Sequence, residues 1–79
     1  MNVQVLFFGA ASAITGKRQT DMELDDGNRS REVFDQLLAD NPGLASHKLF
    51  FSINQQYATG EEIVRDGDEL AIFTAVSGG

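Results

Sequence analysis

The chain has 79 residues, 42% of them apolar, and no cysteine; it is bounded to one small domain held by packing alone, and disulfides, thiolate metal sites and a cysteine nucleophile are excluded. Twelve Asp and Glu against six Lys and Arg leave a net charge of −6, which opposes binding to nucleic acid or an anionic membrane and favours partners with positive surfaces. No apolar run approaches the roughly 20 residues of a spanning helix, and the first residues, Met1 to Val5, lack the basic segment of a signal peptide, so a cytoplasmic protein is expected.

The run Val3-Gln4-Val5-Leu6-Phe7-Phe8 is β-rich and of strand length, with Val3, Val5 and Phe7 on one face and Gln4, Leu6 and Phe8 on the other. Residues 9–16 are small and weakly patterned, which reads as a loop with one helical turn around Ala10–Ile14. Residues 18–24 alternate, Thr20, Met22 and Leu24 against Gln19, Asp21 and Glu23, and pair with the first run as a hairpin. Asp25 to Asn28 form a turn, and Ser30 is placed to cap a helix with Glu32 in its first turn. Val33, Phe34, Leu37 and Leu38 make one apolar stripe at helical spacing. Asn41 precedes Pro42, which disfavours helical geometry at Asn41 and ends the helix; Pro42-Gly43 then turns the chain. Leu49, Phe51 and Ile53 alternate with Phe50, Ser52 and Asn54 as a third strand, with a short edge strand near Tyr57. Asp66-Gly67 is a tight turn, Leu70 to Phe73 the last strand, and Thr74 onward a tail. Strand, strand, helix, strand, short strand, strand is an α+β order: a mixed sheet with one helix over one face and the first and last strands parallel at its centre.

Most polar motifs read as structural. Gly16-Lys17 matches the end of a phosphate-binding loop, but Ala11 and Arg18 stand where that loop needs Gly and Ser or Thr. His47, the one histidine, has no orienting partner in sequence and reads as a surface-loop residue. Glu61, Glu62, Asp66, Asp68 and Glu69 lack the ligand series of a calcium loop and read as a solvated acidic rim, with a docking surface for a basic partner as the alternative. No metal site is expected.

Two features point outward. With Val3, Val5 and Phe7 turned to the helix, Phe8, Phe73 and Phe50 share the opposite face, which nothing in a one-helix domain covers unless residues 9–16 fold over it; an exposed apolar patch of this kind marks a partner surface. The chain then reads Val76-Ser77-Gly78-Gly79 close behind the last strand. Residues 75–79, fully extended, reach about 17 Å. Two glycines without Cβ atoms can thread a channel that rejects side chains, delivering the carboxylate of Gly79 into another protein's active site.

On these residues the sequence resembles the ubiquitin-like β-grasp sulfur carriers, and most closely the small subunits of molybdopterin synthase. Val5-Leu6-Phe7-Phe8 resembles their first strand, Ile53-Asn54-Gln55 their third strand and turn, and residues 66–73 followed by Val76-Ser77-Gly78-Gly79 their C-terminal signature. Thr74-Ala75 stands where members often carry two prolines, so the tail lacks that stiffening. The resemblance implies a β-grasp domain over residues 1–74, with four to five strands on one main helix and a flexible tail at 75–79. It implies that a ubiquitin-activating-like adenylyltransferase uses ATP to adenylate Gly79 and that a sulfur donor converts it to a thiocarboxylate. The tail, with Val76, Ser77 and Gly78 in the channel, then enters the large synthase subunit, which pairs with the small one as a heterotetramer. There the sulfur passes to cyclic pyranopterin monophosphate. The chain binds no cofactor and is not an enzyme by itself in this reading; Phe8, Phe50 and Phe73 form the interface. Alternatives are a carrier for thiamin or another thiolation pathway, a ubiquitin-like modifier joined to lysines, and a plain interaction domain with an incidental Gly-Gly end.

Overall fold

The computed structural model describes residues 1–74. In chain order they form β1 (Asn2–Phe8), α1 (Ala10–Thr15), β2 (Gln19–Glu23), α2 (Ser30–Asp40), a 3-10 segment (Pro42–Ser46), β3 (Leu49–Ile53), β4 (Gln56–Tyr57) and β5 (Glu69–Thr74). The five strands make one mixed sheet in the order β2-β1-β5-β3-β4. β1 pairs parallel to β5 and antiparallel to β2, and β3 pairs antiparallel to β5 and β4. This is the β-grasp arrangement: α2 lies over one face and the first and last strands lie side by side.

The alternation in the strands decides which face is covered. Val3, Val5 and Phe7 of β1 are buried, as are Leu70 and Ile72 of β5, and the register sets Val5 beside Leu70 and Phe7 beside Ile72. Val33, Phe34 and Leu37 of α2 pack down on them, and Phe34 meets Phe51 of β3 with ring centroids 4.3 Å apart. Asn41, at φ −132 and ψ 72, leaves the helical region and ends α2 ahead of Pro42, which disfavours helical geometry in the residue before it. Asn54 and Gln55, at φ 49 and 69, form the two-residue turn between β3 and β4, the left-handed pair that suits the twist of a tight hairpin.

Three local expectations are corrected. Residues 10–15, read as a loop with one helical turn around Ala10–Ile14, form a six-residue helix, so the turn is longer than expected. Gly16 closes it in the left-handed conformation, φ 77, its N–H donating to the Ser12 carbonyl at 2.9 Å, so Gly16 is a helix stop rather than a phosphate cradle. Ser30 does not cap α2. The cap position belongs to extended Arg29, whose N–H donates to Glu32 Oε1 at 2.9 Å, while Ser30 begins the helix fully buried and donates its hydroxyl to Glu62 Oε1 at 2.6 Å. The Pro42-Gly43 turn extends into the 3-10 segment because Leu44 is drawn into the core, 0% exposed.

Candidate docking face and tail exit

Residues facing each other across paired strands point to the same side of a sheet. On the side away from α2 the register therefore aligns Gln19, Leu6, Ala71, Ser52 and Tyr57 in one row, and Phe8, Phe73 and Phe50 in the next. Phe50 and Phe73 stack with centroids 5.8 Å apart, and Tyr57 lies against both at 6.3 and 6.0 Å. Phe8 is 51% exposed and Tyr57 72%. The three sequence-predicted interface residues, Phe8, Phe50 and Phe73, thus lie in one row. Tyr57 completes the aromatic group and was not anticipated: its face is fixed only by the turn at Asn54-Gln55, which returns β4 two residues later.

The segment after β1 does not cover this face. Ala11 of α1 joins the same core as Val33 and Leu37, and Ile14 packs beside the 3-10 segment, where a Cβ at Gly43 would stand 3.0 Å from Ile14 Cγ2. α1 therefore sits on the helix side and the aromatic row stays open. Two hollows border it: one of about 270 Å³ between Ser52, Gln55, Tyr57 and Phe73, the other of about 480 Å³ reaching from Leu6 and Phe8 to Ser12 and Arg18. β5 ends at this same edge, Thr74 paired opposite Leu49 and its hydroxyl beside Gly9. Val76, Ser77, Gly78 and Gly79 lie outside the described residues.

The acidic segment is bound into the fold more than its charge pattern implied. Glu61 pairs with Arg29 and Arg31, each at 3.3 Å. The Glu62 carboxylate accepts from the Ser30 hydroxyl at 2.6 Å, the Thr59 N–H at 2.8 Å, the Gly60 N–H at 3.1 Å and the Thr59 hydroxyl at 3.2 Å. These bonds, the Ser30 hydroxyl first and the Thr59 N–H next, lower its pKa from 4.5 to about 2, since each favours the charged form. Asp66 accepts from the Asn2 N–H and Asp68 from Asn54 and the Arg65 N–H. His47 is exposed behind the 3-10 segment. Among the described residues, no three His, Asp or Glu come together as a metal site, and no helix is long and apolar enough to cross a membrane. What this face offers is an apolar surface for association beside the exit of β5.

The chain is similar to known proteins. The model of the ThiS family matches residues 5–79. The molybdopterin synthase sulfur carrier subunit of Chlamydomonas reinhardtii is 34% identical over 83 residues, covering 100% of both chains. SAMP1 from Haloferax volcanii superposes with a TM-score of 0.87 at 24% identity over 100% of both chains. Subunit 1 of the molybdopterin-converting factor from Helicobacter pylori, solved in complex with subunit 2, gives 0.71 at 22% identity, again over 100% of both. The chain belongs to the ThiS family, as a ubiquitin-like sulfur carrier of the molybdopterin synthase type.

Proposed function

We propose that the chain carries sulfur on the carboxylate of Gly79 and donates it to cyclic pyranopterin monophosphate while seated on the large subunit of molybdopterin synthase. A carboxylate is a poor electrophile until one oxygen becomes part of a leaving group. A ubiquitin-activating-like adenylyltransferase supplies this by joining Gly79 to AMP from ATP, with release of pyrophosphate. Sulfur at the sulfide level displaces AMP and leaves a thiocarboxylate. Within the large subunit that sulfur attacks a side-chain carbon of the pterin precursor and the C–O bond there breaks, its oxygen leaving as the bound phosphate or as water; hydrolysis of the resulting thioester returns the carboxylate, and two rounds, each exchanging a C–O for a C–S bond, build the dithiolene. The chain has no cysteine, so its sulfur resides on the terminal carboxylate, and the catalytic groups belong to its partners. Val76, Ser77 and Gly78 occupy the channel, and Phe8, Phe50 and Phe73, with Tyr57, form the docking face.

The observation that supports this reading is one of placement: β5 ends within the aromatic row, so a partner covering Phe8, Phe73 and Phe50 is also beside the point where residue 75 begins. The family match, which runs through residue 79, supports it further. The test is the mass of the C-terminal peptide after incubation with the activating enzyme, ATP and a sulfur donor. Fragmentation must place the change on Gly79, because oxidation of Met1 or Met22 adds nearly the same mass as exchange of oxygen for sulfur. An unmodified Gly79 beside a competent activating enzyme refutes the proposal.

A further inference from the structure

The net charge of −6 is distributed unevenly along the strands. β1 and β5 are parallel, so both begin at one edge of the sheet and end at the other. The starting edge is acidic. Glu23 stands opposite Asn2, Asp66 accepts from the Asn2 N–H at 2.7 Å, Asp68 holds Asn54 at 3.0 Å, and Glu69 opens β5. The finishing edge is basic. Across it in strand order come Arg18, which precedes β2 and whose carbonyl accepts the Phe7 N–H at 2.8 Å; Phe8, which ends β1; Thr74 of β5; and Lys48, which precedes β3 and adjoins Leu49, the partner of Thr74.

Lys17, Arg18 and Lys48 are all exposed. Among the described residues no carboxylate comes within 4.0 Å of any of them, whereas Arg29 and Arg31 are both engaged by Glu61; Arg65, the remaining arginine, forms no ion pair either, but it lies in the turn with Asp66 and Asp68 at the starting edge, where carboxylates outnumber it. Asp40, which ends α2 on the helix layer, accepts from Gln36 Nε2 at 2.9 Å. The two edges lie a strand's length apart, about 20 Å at roughly 3.3 Å per residue. That exceeds twice the Debye length of about 8 Å at physiological salt, so the acidic edge is screened from the basic one. An acidic protein thus presents a locally positive field where β5 ends.

We infer that Lys17, Arg18 and Lys48 form a cationic collar around the tail exit, and that the collar docks against an acidic rim on the large synthase subunit, around the mouth that takes residues 75–79. The inference rests on the carrier reading above and adds the charge of the surface that meets it. Two observations favour a protein surface over a small anion. The cations stand at the ends of β2 and β3, with the ends of β1 and β5 between them, rather than converging on one point, and Arg18 shares a hollow with Phe8, so collar and aromatic row are continuous. The large subunit is the occupant because the same reading seats the aromatic row on it. Charges at a rim act mainly on the rate of encounter, and they do so in a salt-dependent way.

The experiment measures association of the full chain with the large subunit of the same organism, from about 0.05 to 0.5 M salt, a range over which screening removes most long-range attraction. The variant K17E/R18E/K48E is compared with K17Q/R18Q/K48Q and with the control D25K/D26K, in the turn after Leu24, whose N–H donates to the Met1 carbonyl at the starting edge; melting curves establish that each is folded. The reversed variant is expected to associate about tenfold or more slowly at low salt, the neutral one to fall between, and both to converge on the parent at high salt. The control is expected to stay within about twofold, because its charges lie beyond the screening length. A parent chain that binds while reversal leaves both rate and salt slope unchanged overturns the collar alone. Dependence on the collar with the activating enzyme but not with the large subunit overturns the assignment of its partner. A parent chain that does not bind the large subunit at any salt overturns the carrier reading and the collar together.

Discussion

Replacing Phe8 by alanine separates docking from folding. Phe8 leaves 51% of its surface in solvent. An aromatic side chain buries about 150–250 Å² when fully covered, so a partner seated over Phe8 removes roughly 100 Å² more from water. At about 25 cal/mol per Å² this contributes about 2.5 kcal/mol, or roughly a 70-fold change in dissociation constant. The cost to folding is smaller, because the unfolded chain already shields part of the ring and an open face leaves no cavity behind. A loss of about 1–2 kcal/mol is expected from folding, well inside the roughly 5–15 kcal/mol of a typical domain. Calorimetric titration of the F8A chain into the large subunit, with a thermal melt of the same sample, reads both quantities. The melting temperature is expected to fall by about 5–15 °C. That fall accompanied by a dissociation constant unchanged within about threefold refutes the reasoning, and a variant that does not fold at all makes Phe8 a core side chain.

Other outcomes follow from the core, the Glu62 cluster and the tail. Leu44→Ala is expected to cost about 2–5 kcal/mol, since it empties a fully buried site; urea unfolding measures it, and a loss below about 1 kcal/mol would show that the 3-10 segment is not held by that side chain. The unfolded chain takes up a proton at Glu62 near the ordinary pKa of 4.5, whereas the folded one resists until about 2. The unfolded state therefore binds more protons within that window, and the contribution of Glu62 to stability is complete above 4.5 and lost as pH falls through 2. Urea midpoints across this range should fall less steeply for Glu62→Gln than for the parent, and parallel curves would contradict the hydrogen-bonded cluster. Removal of Gly79 should leave the melting curve unchanged while abolishing sulfur transfer; a truncated chain with full transfer activity would sink the role given to its carboxylate.

The strands and the main helix were legible because their periodicities are strong and their faces unambiguous. Val3, Val5 and Phe7 alternate with polar or exposed partners, and Val33, Phe34 and Leu37 recur at helical spacing. The aromatic row followed from the same alternation, since turning Phe7 inward turns Phe8 outward. α1 was legible only as a single helical turn within a loop: six residues, AASAIT, are too few for a periodic signal and too short to be stable alone. Its helix depends on burial of Ala11 against elements more than 20 positions away. Ser30 misled because the sequence shows a capping residue ahead of an apolar stripe but not the carboxylate of Glu62, 32 residues on, that takes its hydroxyl. Arg18 and Lys48 are 30 positions apart and become one edge only through the strand order. The net charge of −6 concealed them, since a sum over the chain holds no information about position.

The placement of β5 also has a mechanical consequence. Its hydrogen bonds run to β1 on one side and β3 on the other, and it is the strand that leads to residue 75. A pull on Thr74 acts along the strand axis and loads both ladders in shear, many bonds at once, rather than peeling them apart one by one. Withdrawing a seated tail therefore strains the grip of the partner before it strains this domain. In the proposed role, in which the tail is drawn from one pocket and threaded into the next, the domain can pass through repeated cycles without unravelling from its working end.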